Sequence, residues 1–271
     1  MKKIFLGVII LLPLLMSCEE DVSKVIQTDL PIEASEIFSI SKEWNESLYF
    51  ALISWEDYHQ LDSVSLPSCP EVSIDENTKE VTLNFLSSTA CIQTGQYGRS
   101  GKLMIKFDTT VLGPNKKWTM SYEDYHFGTN QLDGIRTFSS NDSIHVLEEF
   151  DEIIERSLTD VSSEFSGEFI HTKTYVNDSL ANFSSVGRIL GVNGAGRKFE
   201  ISIDTPSKHF ISCYQQNEIL PSSGKENWFV SRGANSEVGY STTYEALLEE
   251  CKVAATATLP DGRKLRLNPI E

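Results

Sequence analysis

Residues 71–85 read EVSIDENTKEVTLNF, and this stretch decides the fold class. Val81, Leu83 and Phe85 alternate with Thr82 and Asn84, the period-two pattern of a strand with one face in a core and one in water. Asp75-Glu76-Asn77 supplies turn-forming residues before it, so the stretch reads as strand, tight turn and strand. The same alternation recurs in Leu103, Ile105 and Phe107, in Trp118, Met120 and Tyr122, and in Phe199, Ile201 and Ile203. Val253, Ala255, Ala257 and Leu259 repeat it with smaller side chains. Asp133-Gly134, Asn177-Asp178, Asn193-Gly194 and Asp261-Gly262 punctuate the runs as turn signals. Short connections join antiparallel strands, whereas parallel strands need long crossovers, and no helical pattern sits between these runs. The expectation is a mainly β, antiparallel, sandwich-like region over 67–271, with two related β units at about 67–140 and 160–271.

Two segments keep a different rhythm. From Ser35 to Tyr58, Ile37, Ile40, Trp44, Leu48, Leu52 and Trp55 recur every three or four residues, which predicts an amphipathic helical segment over 34–62 packed on the β region. Residues 146–158, VLEEFDEIIERSL, fit either a short helix or an irregular strand pair, and the pattern leaves 144–160 undecided.

The chain has 271 residues and a formal charge of −16. An acidic body is repelled by phosphate backbones and by anionic lipid surfaces, so nucleic-acid partners are disfavoured. Residues 1–17, MKKIFLGVIILLPLLMS, carry Lys2 and Lys3 before an apolar run from Ile4 to Leu15. That run is of signal-peptide length, too short to span a ~30 Å hydrocarbon core. Leu15-Met16-Ser17-Cys18 resembles a bacterial lipobox, in which the cysteine thiol takes a diacylglyceryl group and the chain is cut before it. A further fatty acid such as palmitate on the new amine gives the several chains that stable anchoring requires. Residues 18–33 then form a lipidated tether. Its Glu19-Glu20-Asp21 resembles the surface-export signal of Bacteroidetes lipoproteins, although the lysine often found there is missing. The expected location is the outer membrane, lipid-anchored and facing outward, with a periplasm-facing orientation as the alternative.

Cys69, Cys91, Cys213 and Cys251 remain, an even number in an exported chain, which reads first as disulfides. Of three connectivities, Cys69–Cys91 and Cys213–Cys251 are favoured because each pair brackets a hairpin-like excursion. Zinc is disfavoured because no closely spaced Cys-x2-Cys pair is present.

The run CPEVSIDENTKEVTLNF, then Cys91, then YGRSGKLMIKF, resembles a pattern in uncharacterised Bacteroidetes lipoproteins. Gly196 to Pro206 (GRKFEISIDTP), Ser212-Cys213 and the closing Cys251 with its following strand resemble the same pattern. The likeness covers most of 67–268. It departs before Cys91, where Phe85-Leu86-Ser87-Ser88 stands in place of an Asp-Phe-Gly. The family is of unknown function, so the resemblance implies location and a β-rich fold and carries no active site.

No motif assigns chemistry. His59, His126, His145, His171 and His209 form no His-Glu-x-x-His pair. Gly191-Val192-Asn193-Gly194-Ala195-Gly196 sits between two strand patterns, where it reads as a hairpin turn and not as a phosphate cradle. The carboxylates are too many for sequence spacing to single out a glycosidase pair. In WTMSYEDYHF (118–127), Trp118, Met120 and Tyr122 share a core face, which leaves other aromatics there free to stack on a sugar. The expectation is an envelope protein with a glycan or protein ligand and no catalytic, cofactor or metal residues. The alternatives are an extracellular polymer hydrolase and a structural envelope component. Replacing Cys18 by serine should abolish labelling with a radiolabelled fatty acid and release the protein into the soluble fraction. Continued membrane partitioning of Cys18→Ser would refute the anchor.

Overall fold

The computed structural model describes residues 30–86, 98–110, 115–157, 161–233, 236–247 and 251–268. Cys18, residues 19–29 of its tether and Cys91 lie outside the described residues, whereas residues 30–33, read as tether, already belong to the first helix, with Leu30 and Glu33 buried. The alternating runs become strands: β1 (Glu71–Asp75), β2 (Glu80–Phe85), β3 (Arg99–Phe107), β4 (Lys116–Phe127), β5 (Asn130–Ser140), β6 (His145–Arg156) and β7 (Ser162–Val176). They continue as β8 (Ser179–Val192), β9 (Lys198–Phe210), β10 (Ser223–Ser231), β11 (Glu237–Ala246), β12 (Val253–Thr258) and β13 (Lys264–Arg266). All pair antiparallel in one sheet whose spatial order is the order of the sequence, from β1 to β13. Each strand is hydrogen-bonded to its chain neighbours, and the shortest connections, such as those joining β4 to β5 and β7 to β8, leave no other partner within reach. The turn between β7 and β8 is two residues, Asn177 and Asp178, both with positive φ, as a tight hairpin of right-handed twist requires.

The fold is mainly β with an N-terminal helix, as the alternation implies. The sheet is continuous, however, and does not break into units at 67–140 and 160–271. β6 occupies the undecided stretch and pairs with β5 on one side and β7 on the other. Asp133-Gly134 is not a turn but a part of β5 beside a register shift. A disulfide joins Cys213 to Cys251, with Cα atoms 5.0 Å apart, tying the short helix that follows β9 to the segment before β12. Among the described residues, no helix is long and apolar enough to cross a membrane.

The helical segment is α1 (Leu30–Glu46), α2 (Leu48–Leu52) and α3 (Trp55–Tyr58); α4 (Ile211–Tyr214) is the short helix after β9. An amphipathic helix on the surface would bury one stripe. Instead α1 and α2 bury nearly their whole circumference, including Glu33, Glu43, Glu46, Ser41 and Asn45. Their partners run round the sheet. Phe50 packs edge-on to Phe85 of β2, and the Trp118 indole of β4 donates to the Ala51 carbonyl at 2.8 Å. Trp44 stacks on Phe169 of β7 at 3.9 Å, and Ser41 donates to Glu226 of β10 at 2.9 Å. Contacts on all sides of one rod mean that the sheet is curled around it. The curl is not closed by hydrogen bonds, since β1 pairs with β2 alone and β13 with β12 alone among the described residues.

One irregularity sets the inner face of β4. Asp124 and Tyr125 both lie opposite Gly101, an extra residue that shifts the phase of alternation. Tyr125 and Phe127 therefore join Trp118, Met120 and Tyr122 inside, rather than remaining on the wet face. Asp124 takes φ 48° and Gly101 φ 79°. A Cβ at position 101 would lie 2.0 Å from the Asp124 carbonyl oxygen, so only glycine allows this approach. Gly101→Ala should cost at least about 2 kcal/mol in urea unfolding, through strain at positive φ and loss of the bulge. An unchanged midpoint would show that the bulge is dispensable.

Candidate functional site

The interior is polar along the helix. Glu148 of β6 accepts from Arg136 Nε at 2.5 Å, from His171 Nε2 at 2.9 Å and from the Trp44 indole at 3.2 Å. Arg136 also donates to the Trp44 carbonyl and to Ser47 Oγ. Burial alone would raise the Glu148 pKa, but the Arg136 charge and the His171 hydrogen bond outweigh it and hold the carboxylate below its usual range. Glu46 accepts from Arg99 Nε at 2.9 Å and from the Tyr125 hydroxyl at 2.8 Å. The Arg99 guanidinium continues to Asn217 and Ser68. Both ion pairs are fully buried, so removing one member strands the other at a cost of about 3–5 kcal/mol. These groups fasten the helix to the sheet. Packed away from solvent, they have no access to a substrate.

The rim where α1 begins is closed by charge. Glu33 accepts from Arg197 after the β8–β9 turn and from Arg232 after β10, both at 2.7 Å, and from the Tyr240 hydroxyl. Glu36 accepts from Asn193 and from the Gly194 amide, so the glycine-rich 191–196 run is a hairpin turn that seats a helix carboxylate. Near the same rim, Asn130 Nδ2 donates to Glu43 at 2.5 Å and to Glu155 at 2.8 Å. Both carboxyls thus stand beside one amide nitrogen, and Glu43 also accepts from Ser39 Oγ at 3.0 Å. Burial, then the charge of Glu155, pushes Glu43 well above the usual carboxylate range. Neither Glu43 nor Glu155 lines either of the two cavities described below.

The opposite rim is open. There the inward-facing rows of several strands run out past the end of α2 and leave a cavity of about 520 Å³. Ile53, Ser54 and Trp55 form one wall, where Ser54 caps α3 by accepting from the Asp57 amide. Phe107 ends β3, Trp118 begins β4, and Ser140 to Ser143 form the β5–β6 turn. Lys173 and Tyr175 end β7. Along β7 the inward row changes from Phe169 and His171, both buried, to Lys173 and Tyr175 at the mouth. Phe107 stacks on Trp118 and meets Trp55 edge-on, so the apolar wall is one continuous aromatic surface. Lys79 sits over the Trp55 ring at 4.5 Å. A cavity of this size, with one aromatic wall and a charged rim that includes Lys116, Lys117 and Lys173, can take a small molecule that is part apolar and part polar.

A second concavity, about 860 Å³, lies on the outer face of β5 to β8. It is shallower and carries Asp133, Glu149, Asp151, Glu152 and Glu168, with Arg188 ion-paired to Glu168 at 2.8 Å.

Of the residues singled out in the sequence, Cys18 and the Cys69–Cys91 pairing fall outside the described residues, whereas Cys213 and Cys251 are joined. His171 is a buried hydrogen-bonding residue and His145 an exposed partner of Asp142. Among the described residues no group of three or more His, Cys, Asp or Glu side chains could hold a metal ion. Sequence reading missed the cavity, because its walls are the ends of strands far apart in the chain. A comparison with protein-family models, characterised proteins and solved structures finds no match to the chain.

The Glu43–Glu155 pair has a consequence for stability. A carboxyl whose folded pKa is raised favours folding below its ordinary pKa and loses that contribution as pH rises through the folded value. Glu43→Gln keeps an oxygen that accepts from Asn130 and Ser39 and has no charge to bury at any pH. It should raise Tm at pH 8 by about 2–4 °C, equivalent to roughly 1 kcal/mol, with a smaller gain at pH 5. A gain that is larger at pH 5 would contradict the raised pKa of Glu43.

Proposed function

We propose that the chain is a lipid-tethered, non-enzymatic binding protein of a bacterial outer envelope, of the kind its resemblance to Bacteroidetes lipoproteins implies, and that its ligand enters the cavity at the open rim. The observation that carries this reading is the cavity itself: a recess of about 520 Å³ with one aromatic wall, at the mouth of a curled sheet whose other end is closed by ion pairs. The direction of α1 supports it further. The helix starts at the closed rim and its 17 residues cover about 25 Å toward the open one. A tether from Cys18 to Leu30 therefore joins the body at the closed end, and the mouth points away from the bilayer. The net charge of −16 weighs against nucleic acid as a partner.

A polymer hydrolase is the competing reading, and the carboxyls of the outer concavity are the observation in its favour. The two readings separate in one screen of envelope glycans, peptides and small organic acids by thermal shift and tryptophan fluorescence. Hits should be recovered unaltered by mass spectrometry, be lost on Trp55→Ala and survive Glu149→Gln. Turnover of a hit, or the reverse pattern in the two variants, would overturn the binding reading in favour of hydrolysis at the outer groove.

A further inference from the structure

We propose that the mouth cavity takes an organic anion, a flat apolar body bearing one carboxylate, sulfonate or phosphate, and that the Lys173 ammonium receives the anionic group. This rests on the reading of the cavity as the ligand site and specifies what it selects.

The argument begins with the row on which Lys173 stands. Alternation along β7 places Phe169, His171, Lys173 and Tyr175 on one face, the face turned to the interior. Lysine on an inward row is unusual, because burying an ammonium without a partner opposes folding. Lys173 is only partly exposed, and burial, followed by the nearby Lys116 charge, lowers its pKa. The Tyr175 ring lies 5.7 Å from its ammonium. No carboxylate among the described residues stands within ion-pairing distance of it.

The acids around the mouth are engaged elsewhere. Glu56 faces Lys116 at 3.7 Å. Asp108 accepts from the amide and hydroxyl of Thr110. Asp142 accepts from the Ile144 and His145 amides and from the His145 ring, which hold its carboxyl down at about 2. Each carboxylate thus has its own donors, while Lys173 feels the charges of Lys116, Asp57 and Asp142 but forms no salt bridge among the described residues. In a chain of net charge −16, that local surplus at the end of an aromatic recess is the complement of an anion with an apolar body. The aromatic wall of Phe107, Trp118 and Tyr175 offers the body a flat surface.

The test compares two probes of equal shape, naphthalene-2-sulfonate and the neutral 2-naphthalenemethanol, titrated against the intact chain and followed by tryptophan fluorescence and calorimetry. The sulfonate should bind at least tenfold more tightly, and Lys173→Met should remove that preference. Because Lys173→Met deletes an unpaired, partly buried charge, its Tm should equal or exceed that of the parent, so loss of binding is not loss of fold. Equal binding of both probes, or a sulfonate preference that survives Lys173→Met, overturns the anion assignment and leaves the cavity as a site. Binding of neither probe to the parent chain overturns the assignment and the cavity reading together.

Discussion

The architecture depends on charge carried into the interior by the helix. Glu46 meets Arg99 of β3, while Arg136 of β5 caps the Trp44 carbonyl and pairs with Glu148 of β6. These contacts are directional, as hydrophobic packing is not. A helix surrounded by a curled sheet could rotate or slide if only side-chain volume held it, and the buried guanidinium groups fix one rotation and one depth. The same interactions demand that the chain supply both members of each pair, because one carboxylate without its arginine would be a strongly unfavourable buried charge. The apolar layer of Trp44, Phe50, Phe169 and Phe183 then fills the space between these pins.

Glu226 shows that pairing is not the only solution. It is fully buried and accepts from Ser41, Tyr244 and the Trp228 indole, with no cation among these partners. Burial raises its pKa, the opposite outcome to Glu148, where arginine prevails. Raised and lowered carboxyls therefore coexist around one helix, and their opposite linkage to pH distributes stability over a broad range instead of concentrating it on one side.

Much of the fold was legible in the sequence, and the parts that were not have a common cause. Alternation identified strands wherever the inward row was apolar, as in Val81, Leu83 and Phe85. It became ambiguous in β6 because Glu148 and Glu155 stand on the inward row, and a register shift between Phe150 and Ile153 inserts a helix-like spacing. In β4 the bulge at Asp124 changes the phase, so Tyr125 and Phe127 lie inside although strict alternation from Trp118, Met120 and Tyr122 would turn them outward. The helix is legible as one apolar stripe packed on the β region, and nothing in that stripe shows that Glu33, Glu43 and Glu46 are buried as well. A signal was available: α1 holds four glutamates and a single lysine, Lys42, too few cations for a surface helix to pair its own charges. Arg99-Ser100-Gly101-Lys102, part of the run whose pattern resembles Bacteroidetes lipoproteins, acquires a physical meaning here. Arg99 supplies the charge for Glu46 and Gly101 the space for the bulge that delivers Tyr125 to the same carboxylate. The mouth cavity had no local signature, being made of strand ends that only the curl brings together.

The sequential order of the sheet has a bearing on how the molecule is assembled. Every hydrogen-bonded strand pair is a neighbour in the chain, so the wall can be laid down one hairpin at a time from β1 onward. The rod it encloses is made first, yet its last partners arrive far later: Ser41 waits for Glu226, 185 residues on, and Glu33 for Tyr240, 207 residues on. Until those strands are in place, one flank of the helix remains in water with its glutamates hydrated. Completion is thus a late event governed by the C-terminal strands, and a chain released before β10 would hold a trough with an acidic, half-covered rod lying in it.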